Sequence, residues 1–203
     1  MSTSRSQRIG IWVIAVVLAI GTIGSFFVVI LANNNQAKDQ ADLQKLYTEY
    51  QSKVTAQNDE LSNKYYPVLS AYANRVGAFN ADEVTSLATV DLQEGDGAVI
   101  DENTTYSAYY IGWNPEGKIF DQSISDGKLK APLPGEGLIK GWTEGVKGMK
   151  LGGVRELTIP ADQAYGDTGS GDLIPPHTPI KFIVLAIPTP PTIPLPNFTG
   201  ATN

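Results

Sequence analysis

The stretch Leu138–Phe182 has the residue types and spacing of a binding surface for a flat apolar group. Trp142, Tyr165 and Phe182 carry large rings, and eight glycines lie among them. Because glycine has no Cβ, we expect the backbone to turn tightly around these rings, and Pro175-Pro176 to fix a rigid corner. The composition predicts a shallow aromatic dish rimmed by loops. It is not typical of a site built on a nucleophile.

The overall composition excludes several classes of chemistry. The chain of 203 residues has no cysteine and one histidine, so thiolate chemistry is impossible and a transition-metal site is not expected. It carries neither a Gly-x-Ser-x-Gly nor a phosphate-loop pattern. A net charge of −6 argues against nucleic acid as a partner, since phosphate binding needs clustered cations. We therefore predict no metal and no cofactor.

Five short blocks occur in a specific order within the same stretch. They are Leu138-Ile-Lys-Gly-Trp142-x-x-Gly145, Met149-Lys-x-Gly-Gly153, Leu157-Thr-Ile-Pro160, Ala164-Tyr-Gly166 and Ile174-Pro-Pro-His177. With Tyr110-Ile-Gly112 and Phe120-Asp121 upstream, they resemble the FKBP family of peptidyl-prolyl cis-trans isomerases. The resemblance covers residues 84–188. It implies an α+β fold, in which an antiparallel, half-wrapped β-sheet is crossed by one short helix.

The resemblance also implies site residues. The matching family positions place Trp142 on the floor, Tyr110, Phe120 and Phe182 in the walls, and Leu138, Ile139 and Ile174 on the rim; Ala164 and Leu173 are further substrate-binding candidates. By the same resemblance, the Ile139 N–H and the Tyr165 hydroxyl would donate to carbonyls of a bound peptide. Asp121 would polarise the amide or hold Tyr110. We therefore predict Asp121, Tyr165, Trp142 and Phe120 as catalytic residues. His177 matches a family position with a structural role.

The expected reaction is a rotation without covalent chemistry. An X–Pro bond resists twisting by about 18–20 kcal/mol because of amide resonance. A twisted amide has lost resonance and carries less charge on its oxygen, so an apolar pocket accepts it at a lower desolvation cost. The pocket then binds the twisted state better than the planar state, which is what catalysis requires. The expected partners are proline-containing unfolded or nascent polypeptides, together with the macrolide ligands of immunophilins.

Two departures from the family pattern concern the partner of Asp121 and the thickness of one wall. Several members have a basic residue shortly after the Phe-Asp pair, whereas here the nearest cation is Lys128. An aromatic pair is common before the lead-in to the helix, whereas this chain has Leu129 and Ala131. The thinner wall at Leu129 and Ala131 motivates an alternative function, a proline-binding or chaperone module that is held to the membrane and has a negligible catalytic rate.

A run without charged residues extends from Ile9 to Ala32. About 20 apolar residues span a bilayer as a helix, so we predict a transmembrane signal anchor over residues 9–32. A cleaved signal peptide and a buried core helix are the alternatives. Arg5 and Arg8 precede the run, so we expect residues 1–8 to be cytoplasmic. The chain after the anchor, including the isomerase domain, is then expected on the extracytoplasmic side of the cell membrane.

Residues 33–83 have the composition of a helical stalk. Leu43, Tyr47, Tyr50, Val54, Gln57 and Leu61 recur at steps of four and three. This stripe indicates either packing on the downstream domain or on a second helix, or weak self-association through residues 36–63 as a coiled coil. We expect Tyr65-Tyr66-Pro67 to end the helix, and Val68–Phe79 to form a second one.

From Val84 onward the apolar period changes to two. Strands are predicted over residues 85–92, 98–100, 104–113, 118–121, 154–159 and 178–187, with a short helix over 141–149. Residues 123–130 are predicted to be a polar loop or bulge. Residues 189–203 are rich in proline and are expected to be a disordered tail.

Overall fold

A computed structural model describes residues 36–196 of the chain. The chain divides into two compact units, Met1–Gln57 with Thr192–Asn203, and Asn58–Pro191. Within the described residues, no helix has the length and apolar character needed to cross a bilayer. The predicted anchor over residues 9–32 lies outside the described residues.

The first element is a long helix, α1, over Gln36–Ser70. It contains Pro67 and continues to Ser70, so the predicted break at Tyr65-Tyr66-Pro67 is wrong. A proline removes one N–H and crowds the preceding turn. Here it lies in the last turn, where few further helical bonds depend on it, and burial of the neighbouring Leu69 favours keeping the turn. The predicted second helix over Val68–Phe79 is also wrong, because only a 3₁₀ turn over Ala73–Arg75 follows.

The sheet is antiparallel and is the main element of Asn58–Pro191. Its strands are β1 (Ala88–Gln93), β2 (Tyr106–Trp113), β3 (Ile119–Gln122), β6 (Leu133–Pro134), β7 (Val154–Ile159) and β8 (Ile180–Pro188). The order is β1-β7-β8-β2-β3, and β6 pairs with the start of β2. The predicted strand over residues 98–100 is reduced to one bridge, between Val99 and Lys150.

Both faces of the central strands β2, β7 and β8 are buried. The inner face, towards the short helix, carries buried side chains that include Ala108, Leu157, Phe182, Val184 and Trp142 of that helix. The outer face carries a second buried set that includes Tyr109, Ile111, Trp113, Ile183 and Leu185, and the end of α1 adds Tyr65 and Leu69 to it. Residues Asn58–Ser70 of α1 therefore belong to the core of the sheet domain.

The short helix α2 spans Lys140–Gly145 and lies against β7. Two of its glycines permit a close approach. A Cβ on Gly141 would lie 2.2 Å from Ile159 Cγ2, and one on Gly145 would lie 2.8 Å from Leu157 Cδ2. These two glycines are thus required by the packing of α2 on β7. The sequence instead predicts that glycines of this stretch allow tight turns around the rings. The buried Arg155 closes the helix by donating from Nη1 to the carbonyls of Gly145 and Lys147, at 2.9 and 3.0 Å.

Residues 123–130 contain a small hairpin, so the predicted loop or bulge is only part of the structure. Strands β4 (Ile124–Ser125) and β5 (Lys128–Leu129) pair around Asp126 and Gly127, which have φ of 51° and 73°. Two positive φ values match a type I′ turn, for which Asp-Gly is a preferred sequence. We call Ile124–Leu129 the site hairpin, because it directly follows strand β3 and Ser123.

Candidate active site

Four aromatic rings meet edge to face on the inner side of the sheet. The Trp142 ring centroid lies 5.0 Å from that of Phe182 and 5.6 Å from that of Tyr110, with interplanar angles of 75° and 86°. Phe182 also contacts Phe120 at 5.5 Å and Tyr110 at 6.0 Å. Such perpendicular contacts are the favoured geometry of aromatic pairs. The four rings come from β2, β3, α2 and β8 and form one apolar cluster, in which Trp142 and Phe182 are buried and Tyr110 and Phe120 are partly buried.

Gly112 on β2 makes this arrangement possible. It lies opposite Phe182 in the β2–β8 pair and opposite Asp121 in the β2–β3 pair. A Cβ at this position would be 2.5 Å from the ring of Phe182 and 2.7 Å from that of Phe120. The two rings therefore occupy the space that any other side chain would fill.

Asp121 holds one wall of the site by two hydrogen bonds. The Tyr110 hydroxyl donates to Asp121 Oδ2, and the Gln122 N–H donates to Oδ1 at 2.8 Å. Burial raises the pKa of Tyr110 above its ordinary value, and the bond to the carboxylate raises it further. The phenol therefore stays protonated and keeps donating. Of the two roles considered for Asp121, this geometry fits the holding of Tyr110.

Ser123 connects this wall to the site hairpin. The Tyr110 N–H donates to Ser123 Oγ at 3.0 Å, and the Ser123 N–H donates to the Tyr110 carbonyl at 2.8 Å. The Lys130 N–H then donates to the Ser123 carbonyl at 2.8 Å. The position of Tyr110 thus depends on the chain that carries the hairpin.

Two donors around the rings have no acceptor within the described residues 36–196. The Tyr165 hydroxyl is one: burial raises its pKa, and the Asp121 carboxylate raises it further, so the phenol remains neutral. The Ile139 N–H is the other, because Ile139 precedes the first turn of α2 in an extended conformation. An apolar surface with two unused donors can bind an extended peptide through its carbonyls.

The loop that carries Tyr165 is fixed by backbone hydrogen bonds. The N–H of Gly169 donates to the Tyr165 carbonyl at 3.1 Å, and that of Ser170 to the Ile174 carbonyl at 2.7 Å. Gly169 has φ of 67°, and a Cβ there would lie 2.3 Å from the Ile174 carbonyl oxygen. Asn114 Nδ2 donates to the Leu173 carbonyl at 3.0 Å, which ties the loop to the end of β2.

Comparison with known proteins agrees with this geometry. A family model described as FKBP-type peptidyl-prolyl cis-trans isomerase matches residues 94–186. An "FK506-binding protein" of Neisseria meningitidis serogroup A is 43% identical over 100 residues, which are 49% of this chain and 92% of that protein. The chain belongs to the FKBP family. The "FKBP-type 22 kDa peptidyl-prolyl cis-trans isomerase" of Escherichia coli K12 is 37% identical over 93 residues, which cover 46% of this chain and 45% of that protein.

A solved structure, "Crystal structure of AtFKBP13", has a TM-score of 0.44 with 37% identity, and covers 50% of this chain and 90% of its own. The family assignment makes the chain an FKBP-type peptidyl-prolyl cis-trans isomerase. It also confirms the fold class predicted for the domain, an antiparallel sheet crossed by a short helix.

The structure brings the predicted site residues of the FKBP domain to the inner face. Trp142, Phe182 and Ile174 are buried there. Six more are partly buried and pack against or border this set: Tyr110, Phe120, Leu138, Ile139, Ala164 and Tyr165. Leu173 is 36% exposed on the loop. Their roles in binding and catalysis remain predictions, and so does the structural role of His177, which is exposed.

The structure shows where Leu129 and Lys128, two residues at which the chain departs from the FKBP pattern, are placed. Leu129 is buried on the outer face with Tyr65 and Leu69 of α1, so it does not replace an aromatic wall of the site. Lys128 Nζ lies 2.9 Å from Asp59 Oδ1 on α1 and is therefore engaged away from Asp121. Tyr110 is the side-chain partner that the structure gives to Asp121.

Sequence reasoning missed three residues of the FKBP site. Gly112 and Ser123 have no side-chain chemistry that would mark them, although Gly112 occurs in the family block Tyr110-Ile-Gly112. The third is Tyr106, which lies behind Trp142 and borders a separate groove of about 480 Å³. The groove is lined by Ile100–Thr105, Gly135–Gly137, Thr143, Val146 and Lys147, and it contains none of the predicted site residues.

Proposed function

We propose that this protein accelerates the rotation of X–Pro bonds in exported polypeptides by stabilising the twisted amide on the surface formed by its four rings. The observation that supports this most directly is the four-ring cluster, because two unused donors lie beside its edge-to-face rings. A prolyl ring would pack on Trp142, with carbonyls of the peptide accepting from the Ile139 N–H and the Tyr165 hydroxyl.

The chemistry needs no proton transfer. Rotation about the X–Pro bond takes tens of seconds or longer without a catalyst. An apolar surface costs the planar amide more desolvation than the twisted one, so part of the barrier is removed by binding alone. Asp121 serves here as a positioning group, since its carboxylate accepts from Tyr110 and from the backbone of Gln122.

We further propose that the enzyme acts outside the cytoplasm, anchored by residues 9–32 with residues 1–8 inside. The support is the uncharged run in the sequence and the two preceding arginines. Fractionation of cells that express the full chain tests this part. Recovery of the intact chain with membranes, and protease sensitivity of the domain from the outer side only, are expected. Recovery in the cytosolic fraction would contradict it.

A protease-coupled assay on a prolyl peptide tests the isomerase activity of the full chain. We expect acceleration above the uncatalysed rate, and a loss of about ten- to a hundredfold in Trp142→Ala, because the floor of the binding surface is removed. Tyr165→Phe removes one donor and should lower kcat/KM by about five- to tenfold. Activity of Trp142→Ala equal to wild type, in a chain with normal unfolding, would contradict the assignment of the site.

The alternative is a proline-binding module with negligible turnover, whose second ligand class would be the macrolides that FKBPs bind. It is motivated by the sequence, which has Leu129 and Ala131 where the family often has an aromatic pair. Peptide binding without acceleration of isomerisation would select this alternative.

A further inference from the structure

Tyr106 supports the floor of the four-ring site from behind. The Trp142 Nε1–H donates to the Tyr106 hydroxyl at 3.2 Å, and both side chains are buried, with 2% and 8% of their surfaces exposed. We propose that Tyr106 is a positioning residue, which fixes the orientation of the Trp142 indole and thereby the shape of the surface that receives the prolyl ring. The inference rests on the proposed function.

The hydrogen bond supplies what the ring contacts alone do not. Tyr110 and Phe182 contact the Trp142 ring edge to face, and such contacts tolerate sliding and tilting of the rings. The indole has a single polar atom, a donor, and a buried donor without a partner is costly. A bond from Nε1 to a fixed acceptor therefore limits the sliding and tilting that the ring contacts allow.

Tyr106 is itself held firmly. It is the first residue of β2 and pairs with Pro188 of β8. The Gly135 N–H donates to the Tyr106 carbonyl at 2.9 Å, and a Cβ on Gly135 would lie 2.4 Å from the Tyr106 ring. The backbone of Gly135 therefore presses on the ring. Burial also raises the pKa of Tyr106, so its hydroxyl stays neutral and accepts through its oxygen.

Tyr106 lies away from the part of the four-ring site that would receive the substrate. Tyr106 and Tyr110 both belong to the inner face, but they are four residues apart, which is about 13 Å along a strand. Tyr106 borders the groove formed with Thr143 and Val146, whereas Tyr110 contacts the four-ring site. Its effect on catalysis must therefore pass through Trp142.

The chain offers a matched control on the same strand. Tyr109 points to the outer face, is fully buried, and its hydroxyl has no hydrogen-bond partner within the described residues. Tyr106→Phe and Tyr109→Phe thus delete the same atom from two buried tyrosines of β2. Only the first deletion removes the acceptor of Trp142.

Two measurements on the full chain test the proposal. In the NMR spectrum of ¹⁵N-labelled tryptophan indoles, Tyr106→Phe should shift the Trp142 Nε1–H resonance upfield, and Tyr109→Phe should leave it in place. In the isomerase assay, Tyr106→Phe should lower kcat/KM about fivefold, mainly through kcat, since the twisted state depends most on the placement of the floor. Tyr109→Phe should keep the wild-type kcat/KM.

A double-mutant cycle separates positioning from a general loss of stability. In a Trp142→Phe background, which has no indole N–H, Tyr106→Phe should cause no further loss of kcat/KM. An equal loss in both backgrounds, or an unshifted indole resonance in Tyr106→Phe, would overturn the inference. The resonance does not depend on turnover, so it decides this inference even if the wild-type chain fails to accelerate isomerisation, a result that would refute only the proposed function.

Discussion

Replacing Ser62 by alanine tests whether the end of α1 supports the active site. Ser62 lies on the helix, is 4% exposed, and its Oγ accepts from the Leu129 N–H of the site hairpin at 2.9 Å. The hairpin follows Ser123, which holds Tyr110 by two hydrogen bonds. The substitution therefore removes one link between the helix and the wall of the site.

The expected cost follows from what the alanine leaves behind. Leu129 is 6% exposed, so its N–H would be buried without an acceptor, which costs about 1–3 kcal/mol. The nearby ion pair of Lys128 with Asp59 is exposed and adds less than about 1 kcal/mol. We therefore expect the free energy of unfolding to fall by about 1–3 kcal/mol, and the urea midpoint by about 0.5–1.5 M at an unchanged slope.

Ser70→Ala is the matched control, because Ser70 lies on the same helix and its Oγ donates within that helix, to the carbonyl of Pro67 at 3.5 Å. Urea unfolding of both variants, with hydrogen exchange at the Leu129 amide, gives the measurement. Faster exchange of this amide in Ser62→Ala alone is expected. Identical exchange and identical midpoints in the two variants would refute the claim that α1 holds the hairpin.

Three further predictions concern the site and its surroundings. Gly112→Ala places a Cβ against the edges of two rings, so the free energy of unfolding should fall by about 1–3 kcal/mol, and kcat/KM should fall as well. Wild-type values of both quantities would contradict the ring packing. Burial raises the pKa of Tyr109 to about 12, so the folded chain retains this proton to a higher pH than the unfolded chain does. Stability should therefore decline as pH rises from about 10 to 12, and urea titrations should show a shallower decline in Tyr109→Phe; equal slopes would refute this. Because the buried Tyr165 phenol stays protonated and the mechanism transfers no proton, kcat/KM should be flat from about pH 6 to about pH 9, and a bell-shaped profile would contradict it.

The strands and the site were largely predictable because their signals are local. Alternation of apolar residues placed the strand at 154–159 with its observed bounds. Residues of high β-propensity placed β2, and a continuous apolar run placed β8, with ends within one or two residues of those observed. The site followed from the order of five family blocks. Periodicity alone would have identified the rings of Trp142 and Phe182 only as core residues.

The second buried face was missed because it depends on contacts distant in sequence. Strand β8 is apolar almost throughout, with Lys181 as its one charged residue, and such runs are typical of strands covered on both faces. That pattern indicated a partner for the outer face. The pattern does not identify that partner, which is the segment Asn58–Ser70 of α1. This helix continues through Pro67, against the local preference of proline.

The site hairpin was missed for a different reason. Its two strands have two residues each, too short for a period of two to be recognised. The dipeptide Asp126-Gly127 was the available signal, since it favours the type I′ turn observed there. The tertiary contact with Ser62 completes the hairpin, and no local pattern encodes it.

Exchange NMR on a proline peptide with a small amount of the full chain tests the central claim most directly, because it observes cis and trans forms at equilibrium without a coupling protease. We expect cis-trans exchange to accelerate from tens of seconds to below about one second, and Trp142→Ala to reduce this acceleration by about ten- to a hundredfold. Binding of the peptide, seen as shifted resonances, with exchange still at the uncatalysed rate, would contradict it.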